Sequence, residues 1–395
     1  MLIPFGWLSA SMGGSNFIGV LSNLVNGSVS YISSDLNGSI YLAGGNWASK
    51  LSASGDSFVY QSYSNSTVLT SSYCIDYDSN GQTLLGLNAD GMRIIDSFGS
   101  LVLNGKISNT VFETIGIKFD TAGNAAFLAP KSNGHSAQFH KHSILDGSVI
   151  WQRRIATGAN TDYNGPMGKD ENNNAYFSFS STGAGAQVIV KYNTSGTIQW
   201  QRGLNTNGTV WAADTSASGD TYAVQVTFAG TILYKINTSG VYQWGKLITG
   251  VQSGSSLQVR VDSLGNVYFF GKSDTAGESV IYKYDSSGNI IWTRSIKSAN
   301  TPFNIQSAYI QGESIYVAMD SNFFAKLPTD GSLLGTYVIG GKTIIWGTST
   351  TSTQSARTDS VWASGYTESV GFTGTWNPDS SSLINTSATI TTSKF

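Results

Sequence analysis

The residues best placed to do chemistry fall in two short strings. DYDSNG, from Asp76 to Gly81, has the D-x-D-x-N-G opening of a calcium loop, in which alternate oxygen ligands wrap a hard cation around a sharp glycine turn. The twelfth position, where such a loop closes with a bidentate Glu, is Leu87, so the string reads as a plain β-turn. FHKH, from Phe139 to His142, sets His140 and His142 two apart on one face of a strand, with His135 nearby. Three imidazoles could hold a transition metal. No carboxylate or thiolate cluster accompanies them, and His142 falls in a row that holds lysine elsewhere. No metal or cofactor is assigned. G-x-S-x-G, a phosphate-binding loop and H-E-x-x-H are all missing from the sequence, and the chain is expected not to be an enzyme. Paired carboxylates of the glycosidase kind are assigned by geometry, and 24 scattered acids allow no choice.

Two rows of basic residues recur. Lys50, Lys191, Lys235, Lys283 and Lys326 each lie five before a glycine; Arg153, Arg202, Lys246 and Arg294 lie two after a tryptophan or its equivalent. Two readings stay open. The stems could lie over the Trp rings with their heads in solvent at the blade surface, or the rows could form a cationic ring that meets an acidic partner.

These residues sit in a repeated sentence: KYNTSGTIQWQR from Lys191, KINTSGVYQWGK from Lys235 and KYDSSGNIIWTR from Lys283. Self-similarity at this period marks a repeat architecture. Two turns stay in phase along the chain. The first, clearest as VDSLGNVYFFG from Val261 to Gly271, recurs at Gly38, Gly81, Gly123, Asn173, Gly219, Gly265 and Gly312. The second carries Gly55, Gly99, Gly147, Gly196, Gly240, Gly288 and Gly331. Each unit reads as four strands of 5–8 β-branched and aromatic residues, bounded by turns that need positive φ. Four antiparallel strands at 40–50 residues are a propeller blade. Trp151, Trp200, Trp244 and Trp292 lie four past their turn glycines and read as wedges between blades; Trp244→Ala is expected to cost about 3–5 kcal/mol.

RTDSVWASGYTES (Arg357 to Ser369) and TWNPDSSSLINTSATIT (Thr375 to Thr391) fit an eighth, diverged copy. The expected fold is thus an all-β propeller of eight four-stranded blades over residues 28–391, with seven as the alternative. Residues 1–27 would be an apolar segment that closes the ring or docks on a particle, and residues 392–395 a tail.

The bulk composition narrows the partners. Charged residues are 12% and the net charge is -2, so neither nucleic acid nor an anionic membrane is expected to bind. No apolar run reaches the length of a membrane span. Cys74 is the sole cysteine, which excludes an intramolecular disulfide. The first basic residue is Lys50, so the opening lacks the charged n-region of a secretory signal. Yet the Gly, Ser, Thr and Asn content is that of an extracellular surface.

VDSLGNVYFFG and WASGYTES (Trp362 to Ser369) resemble bacterial propeller repeats of the SBBP and NHL kind, and KYDSSGNIIWTR resembles the tryptophan-docking blades of eight-bladed pyrroloquinoline-quinone-type propellers. Those resemblances imply a scaffold. In the quinone family a vicinal disulfide and a calcium site are usual; neither has a counterpart here. The opening MLIPFGWLSAS is similar to the N-termini of small virion and tail proteins of marine bacteriophages. That implies a non-enzymatic virion protein, tail- or fibre-associated, present in multiple copies. Its partners would be other virion proteins and a host-surface glycan or receptor. A quinone-dependent or carbohydrate-active enzyme, or a bacterial adhesin, is the alternative.

Overall fold

The computed structural model describes residues 16–394 apart from 23–27, 46, 65–71, 88–90, 108–113, 131–133, 162–163, 182–185, 205–207, 253, 255–256, 275–276, 300–303, 340, 350–351, 358–360, 364–367, 370–375, 379–382 and 386–388. Seven antiparallel sheets make up the fold. Blade one is built from Tyr31–Ser34, Ile40–Gly44, Trp47–Leu51 and Phe58–Ser64. Blades two to six repeat the pattern, from Ser72–Tyr77 to Ile290–Ser298. The first strands of successive blades touch one another all the way round, ending with Ile305–Gln311 against Tyr31–Ser34. They form the inner wall of a closed ring.

Blade seven has only three strands in sequence, Ile305–Gln311, Ser314–Met319 and Phe323–Pro328. Its outer strand is Phe17–Ser22, paired antiparallel with Phe17 opposite Lys326 and Val20 opposite Phe323. The ring therefore closes by joining residues some 300 positions apart.

The expectation of eight blades over 28–391 is corrected to seven. The residues that fitted an eighth unit form no blade. After a hairpin on blade six (Gly335–Ile339 and Lys342–Gly347), the chain runs backwards around the rim and lays one strand on each outer edge. Thr353–Arg357 pairs with blade five, Val361–Ala363 with blade four and Glu368–Ser369 with blade three. Trp376–Pro378, Leu383–Asn385 and Thr389–Lys394 follow on blades two, one and seven. The last lies on Phe17–Ser22, so the ring extends from Phe17 to Lys394. The physical reason is edge pairing. A sheet's outermost strand presents unpaired N–H and C=O groups, and a β-rich tail that fits them is stabilised there without needing a blade's own core.

Among the described residues the belt is anchored most deeply at blade six. Ile344 and Trp346 are buried in the cluster that includes Tyr268, Ile296, Ile305 and Val317. On blades one, two, four and five the belt covers the half of each outer strand farther from the glycine turns, as at Arg202 to Leu204 opposite Ala363 to Val361.

Both turn series lie on one face of the ring. Every first-turn glycine has positive φ, from +55° at Gly312 to +94° at Gly219, and Asn173 takes its place in blade four at +59°. Asn tolerates this left-handed conformation better than other side chains.

Candidate functional site

The repeated sentence is a clamp between neighbouring blades. Lys191, Trp200 and Arg202 of blade four all grip the second turn of blade five. Lys191 Nζ and Trp200 Nε1 donate to the Thr238 carbonyl at 3.3 and 3.0 Å, and Arg202 Nε donates to the Gly240 carbonyl at 2.7 Å. The next interface repeats this with Lys235 and Trp244 on the Ser286 carbonyl, 3.0 and 3.1 Å. The one after uses Lys283 and Trp292 on the Thr329 carbonyl, with Arg294 on Gly331. Trp151 and Arg153 reach from blade three to Thr194, Ser195 and Gly196. Donor and acceptor belong to the same repeat, so each unit holds the next and is held by the one before.

Glycine is needed where the indole lands. Gly196, Gly240 and Gly288 have φ of +73°, +79° and +84°, as does Gly147 at +76°. A Cβ on Gly196 would sit 2.8 Å from the Trp151 ring, and one on Gly240 would sit 3.0 Å from Trp200. Gly240→Ala is expected to destabilise by more than the roughly 1–2 kcal/mol of a left-handed backbone alone. Gly312→Ala, whose Cβ would meet open space, is expected to lose only that backbone amount. Denaturant unfolding of the two variants checks the difference.

The lysine heads do not lie in solvent, and they do not form a cationic ring. Lys191, Lys235 and Lys326 are buried. Lys191 lies 5.1 Å from the centre of the Tyr176 ring, and Lys50, Lys235, Lys283 and Lys326 repeat the arrangement on Tyr41, Tyr222, Tyr268 and Tyr316. It is the arginines that lie over tryptophans, as Arg202 over Trp200 at 5.8 Å. An aspartate of the first turn completes the set. Asp170 Oδ1 accepts the N–H groups of Asn172 and Asn174, and its Oδ2 accepts the Tyr176 hydroxyl at 2.9 Å and faces Lys191 at 3.8 Å. The D-x-x-G-N-x-Y string is thus a self-capped turn linked to the lysine row.

In blade three the lysine-row residue is Lys141, over Phe127, not His142. The second turn there carries one more residue than in other blades, which moves the glycine count by one. His140 and His142 are buried, with ring centres 5.7 Å apart, and His142 Nδ1 is 2.9 Å from the Gly147 carbonyl. Burial lowers both pKa values, and for His140 the neighbouring His142 adds to the effect. The folded chain keeps both neutral, whereas the unfolded chain protonates them near pH 6.5. Stability is therefore expected to be full above about pH 6.5 and to fall as the pH drops below it. Melting temperatures from pH 8 to 5 should show this slope, and the double variant His140→Phe, His142→Leu should flatten it.

The inner wall carries the charges that the clamp does not use. At the turn face of the axis lies a cavity of about 360 Å³, lined among others by Asp76, Lys118, Lys169, Asp214, Arg260 and Tyr309. Four of them stand opposite the tyrosine row or its equivalent on the second strand: Asp76 by Leu84, Lys118 by Phe127, Asp214 by Tyr222 and Arg260 by Tyr268. The acids tie inner strands together. Asp76 Oδ2 accepts the Phe119 N–H of blade three at 2.9 Å, while its Oδ1 faces Lys118 at 3.5 Å. Asp214 repeats the move, accepting the Val261 N–H of blade six at 3.0 Å and the Thr215 N–H at 2.9 Å. Arg260 Nε donates to the Ala308 carbonyl of blade seven at 2.6 Å. Asp78, which with Asp76 suggested a calcium loop, accepts the N–H groups of Asn80 and Gln82 at 2.9 and 2.8 Å.

Lys118, Lys169, Asp214 and Arg260 were not singled out from the sequence. A signal existed: Asp76, Lys118, Asp214 and Arg260 each lie five before a first-turn glycine, a charge within an otherwise apolar strand.

No protein-family model matches the chain, and no curated protein sequence matches it. In structure it is similar to a catalytically inactive histidine-to-alanine variant of virginiamycin B lyase from Staphylococcus aureus, solved with quinupristin. The TM-score is 0.56 at 15% identity, over 79% of this chain and 99% of that one. It is also similar to a chain of the mitotic checkpoint complex, with TM-score 0.55 and 11% identity over 83% and 99%. At such identities the likeness is one of fold: the chain is a seven-bladed β-propeller with four-stranded antiparallel blades, to which its own tail adds an outer belt.

Proposed function

We propose that this chain is a non-enzymatic structural and binding protein of a bacteriophage particle, tail- or fibre-associated, whose turn face meets a host-surface glycan or protein. One observation carries the non-enzymatic part. Each of the four aspartates lining the axial mouth has both oxygens engaged: Asp76 and Asp214 by the neighbouring strands, Asp78 by its own turn, and Asp120 by the Asn124 N–H and by Lys141 at 3.6 Å. A general acid or base needs a carboxyl free to exchange a proton with substrate, and these are spent on holding strands together. The lyase's inactive form lacks a histidine; here the histidines with described side chains, His140 and His142, are buried within blade three, away from the mouth.

The particle reading is supported by the low charge, the Gly/Ser/Thr/Asn-rich β surface and the MLIPFGWLSAS string. Edges covered by the chain's own belt also suit a scaffold packed at high local concentration beside other virion proteins, where bare edges would pair at random. The rigid ring then presents its loops at one face while another part docks to the particle. Immunogold labelling of purified particles tests the assignment: gold at a regular position on the tail or fibre is expected, and unlabelled virions would remove it.

A further inference from the structure

The axial mouth sets Lys118, Lys169 and Arg260 beside Asp76, Asp78, Asp120 and Asp214, and one of these cations has no direct partner. Lys169 lines it, half-buried, and makes no hydrogen bond and no ion pair within 4 Å among the described residues. Burial lowers its pKa and Lys118 adds to the effect, while Asp76, Asp120 and Asp170 oppose it from beyond ion-pair range. Lys118, on the adjacent blade, has a single contact, the 3.5 Å approach to Asp76, which leaves two of its N–H groups open. A desolvated ammonium without a partner is unfavourable, and Lys169, together with the open N–H groups of Lys118 on the next blade, offers donors to an anion.

The opposite wall differs in kind. Leu36, Tyr77 and Tyr309 line it. The Tyr77 ring stacks on Tyr41 at 5.7 Å and meets Tyr309 edge-on, and the Tyr309 hydroxyl donates to the Tyr77 hydroxyl at 3.2 Å. Thr121 and Thr215 add hydroxyls. The ligand this arrangement fits has one anionic group, an apolar face to lie on an aromatic, and hydroxyls to pair with Thr121 and Thr215. The volume is at the small end of the roughly 300–1,000 Å³ of ligand sites and takes one ring.

We infer that the axial mouth binds a carboxylate-bearing sugar residue, held through its carboxylate by Lys118 and Lys169 and through its ring by the Tyr77–Tyr309 wall. The inference rests on reading the chain as a glycan-binding module, and it names which glycans: those ending in an acidic sugar. A terminal residue is required, because the inner strands close around the site on all sides.

Calorimetric titration of the purified chain decides it, with methyl glucuronide, methyl galacturonide and the methyl glycoside of N-acetylneuraminate as probes. Methyl glucoside and inorganic phosphate are the controls. At least one acidic glycoside is expected to bind at least about tenfold more tightly than methyl glucoside and than phosphate. Lys169→Gln is expected to weaken it at least about tenfold at an unchanged or raised melting temperature, because the variant removes an unpaired buried charge. Lys118→Gln, measured in parallel, is expected to act in the same direction and serves if the first variant fails to fold. Equal binding of the neutral glycoside, binding of phosphate as tight as of any glycoside, no binding of any acidic probe, or unaltered affinity in folded variants would each overturn the inference. The labelling of particles is independent. A chain found on virions that ignores acidic sugars loses only this inference, and a chain that binds them but is absent from virions loses only the particle assignment.

Discussion

A chain ending after Leu334 is expected to melt well below the full ring and to self-associate. Two effects act together. Ile344 and Trp346, which the deletion removes, are fully buried against blades six and seven. Emptying an isoleucine and a tryptophan site costs about 2–5 and 3–5 kcal/mol respectively in well-packed cores. Deletion also uncovers the outer edges of all seven blades, and bare edges template pairing with other chains. Phe17–Ser22 suffers most, since it keeps Phe323–Pro328 on one side and loses Thr389–Lys394 on the other. Light scattering after size exclusion, with a melting curve, checks both effects. A monomer with the melting temperature of the full chain would show that the belt is dispensable. Point substitutions separate the effects: Trp346→Ala should reproduce the loss of stability without the self-association, because the edges stay covered.

Trp200→Ala is the second large change, at about 3–5 kcal/mol by denaturant unfolding. The indole is 7% exposed, packs on Tyr176 and on the Gly240 turn, and carries Arg202 over its face. Truncation opens a cavity at a blade interface and removes the Nε1 donor from the Thr238 carbonyl. That carbonyl keeps Lys191 at 3.3 Å, so the loss should be mainly one of packing. Trp200→Phe tests the division: it fills most of the space and forfeits the hydrogen bond, whose net worth is about 0.5–1.5 kcal/mol. A Phe variant as unstable as the Ala variant would mean that the bond, not the volume, holds the interface. Trp244, expected from the sequence to be as costly, is only half-buried, and its loss should fall below that of Trp200.

Much of the fold was legible because its turns are chemically demanding. A left-handed turn selects Gly or Asn, so two glycine series counted the blades, and each series has seven members. The count went wrong where a different physics wrote a similar pattern. Belt strands are β-branched and aromatic and are separated by Ser, Gly and Thr, just as hairpin strands are. Their partners are remote: Ala363 lies opposite Arg202 and Pro378 opposite Gly105, with nothing local to reveal it. The partner of Phe17, Lys326, was unreadable for the same reason. The clamp was half legible. Spacing marked Lys191, Trp200 and Arg202, but spacing has no direction. It could not tell that the lysine lies over Tyr176 and not over the indole, nor that all three reach into the next blade. The mouth went unnoticed because the residues at its shared repeat position change type and charge from blade to blade. Repetition draws attention to what packs, and a binding site on a ring is built from the positions where the repeats disagree.

The retrograde belt also imposes an order in time. Phe17–Ser22 emerges first from a ribosome, yet its partner Phe323–Pro328 comes about 300 residues later and its second partner, Thr389–Lys394, later still. Local blades can fold as they appear, but for most of synthesis the growing arc has two open ends. Closure is a long-range event that must wait until Phe323–Pro328 has been made, and such contacts form slowly. The seal then works in the opposite sense. Once Thr389–Lys394 lies over Phe17–Ser22, the first strand cannot leave until the last has peeled away. Unfolding should therefore start from the C-terminal strand and be slow, so that persistence is governed by an escape rate as much as by depth of the native well.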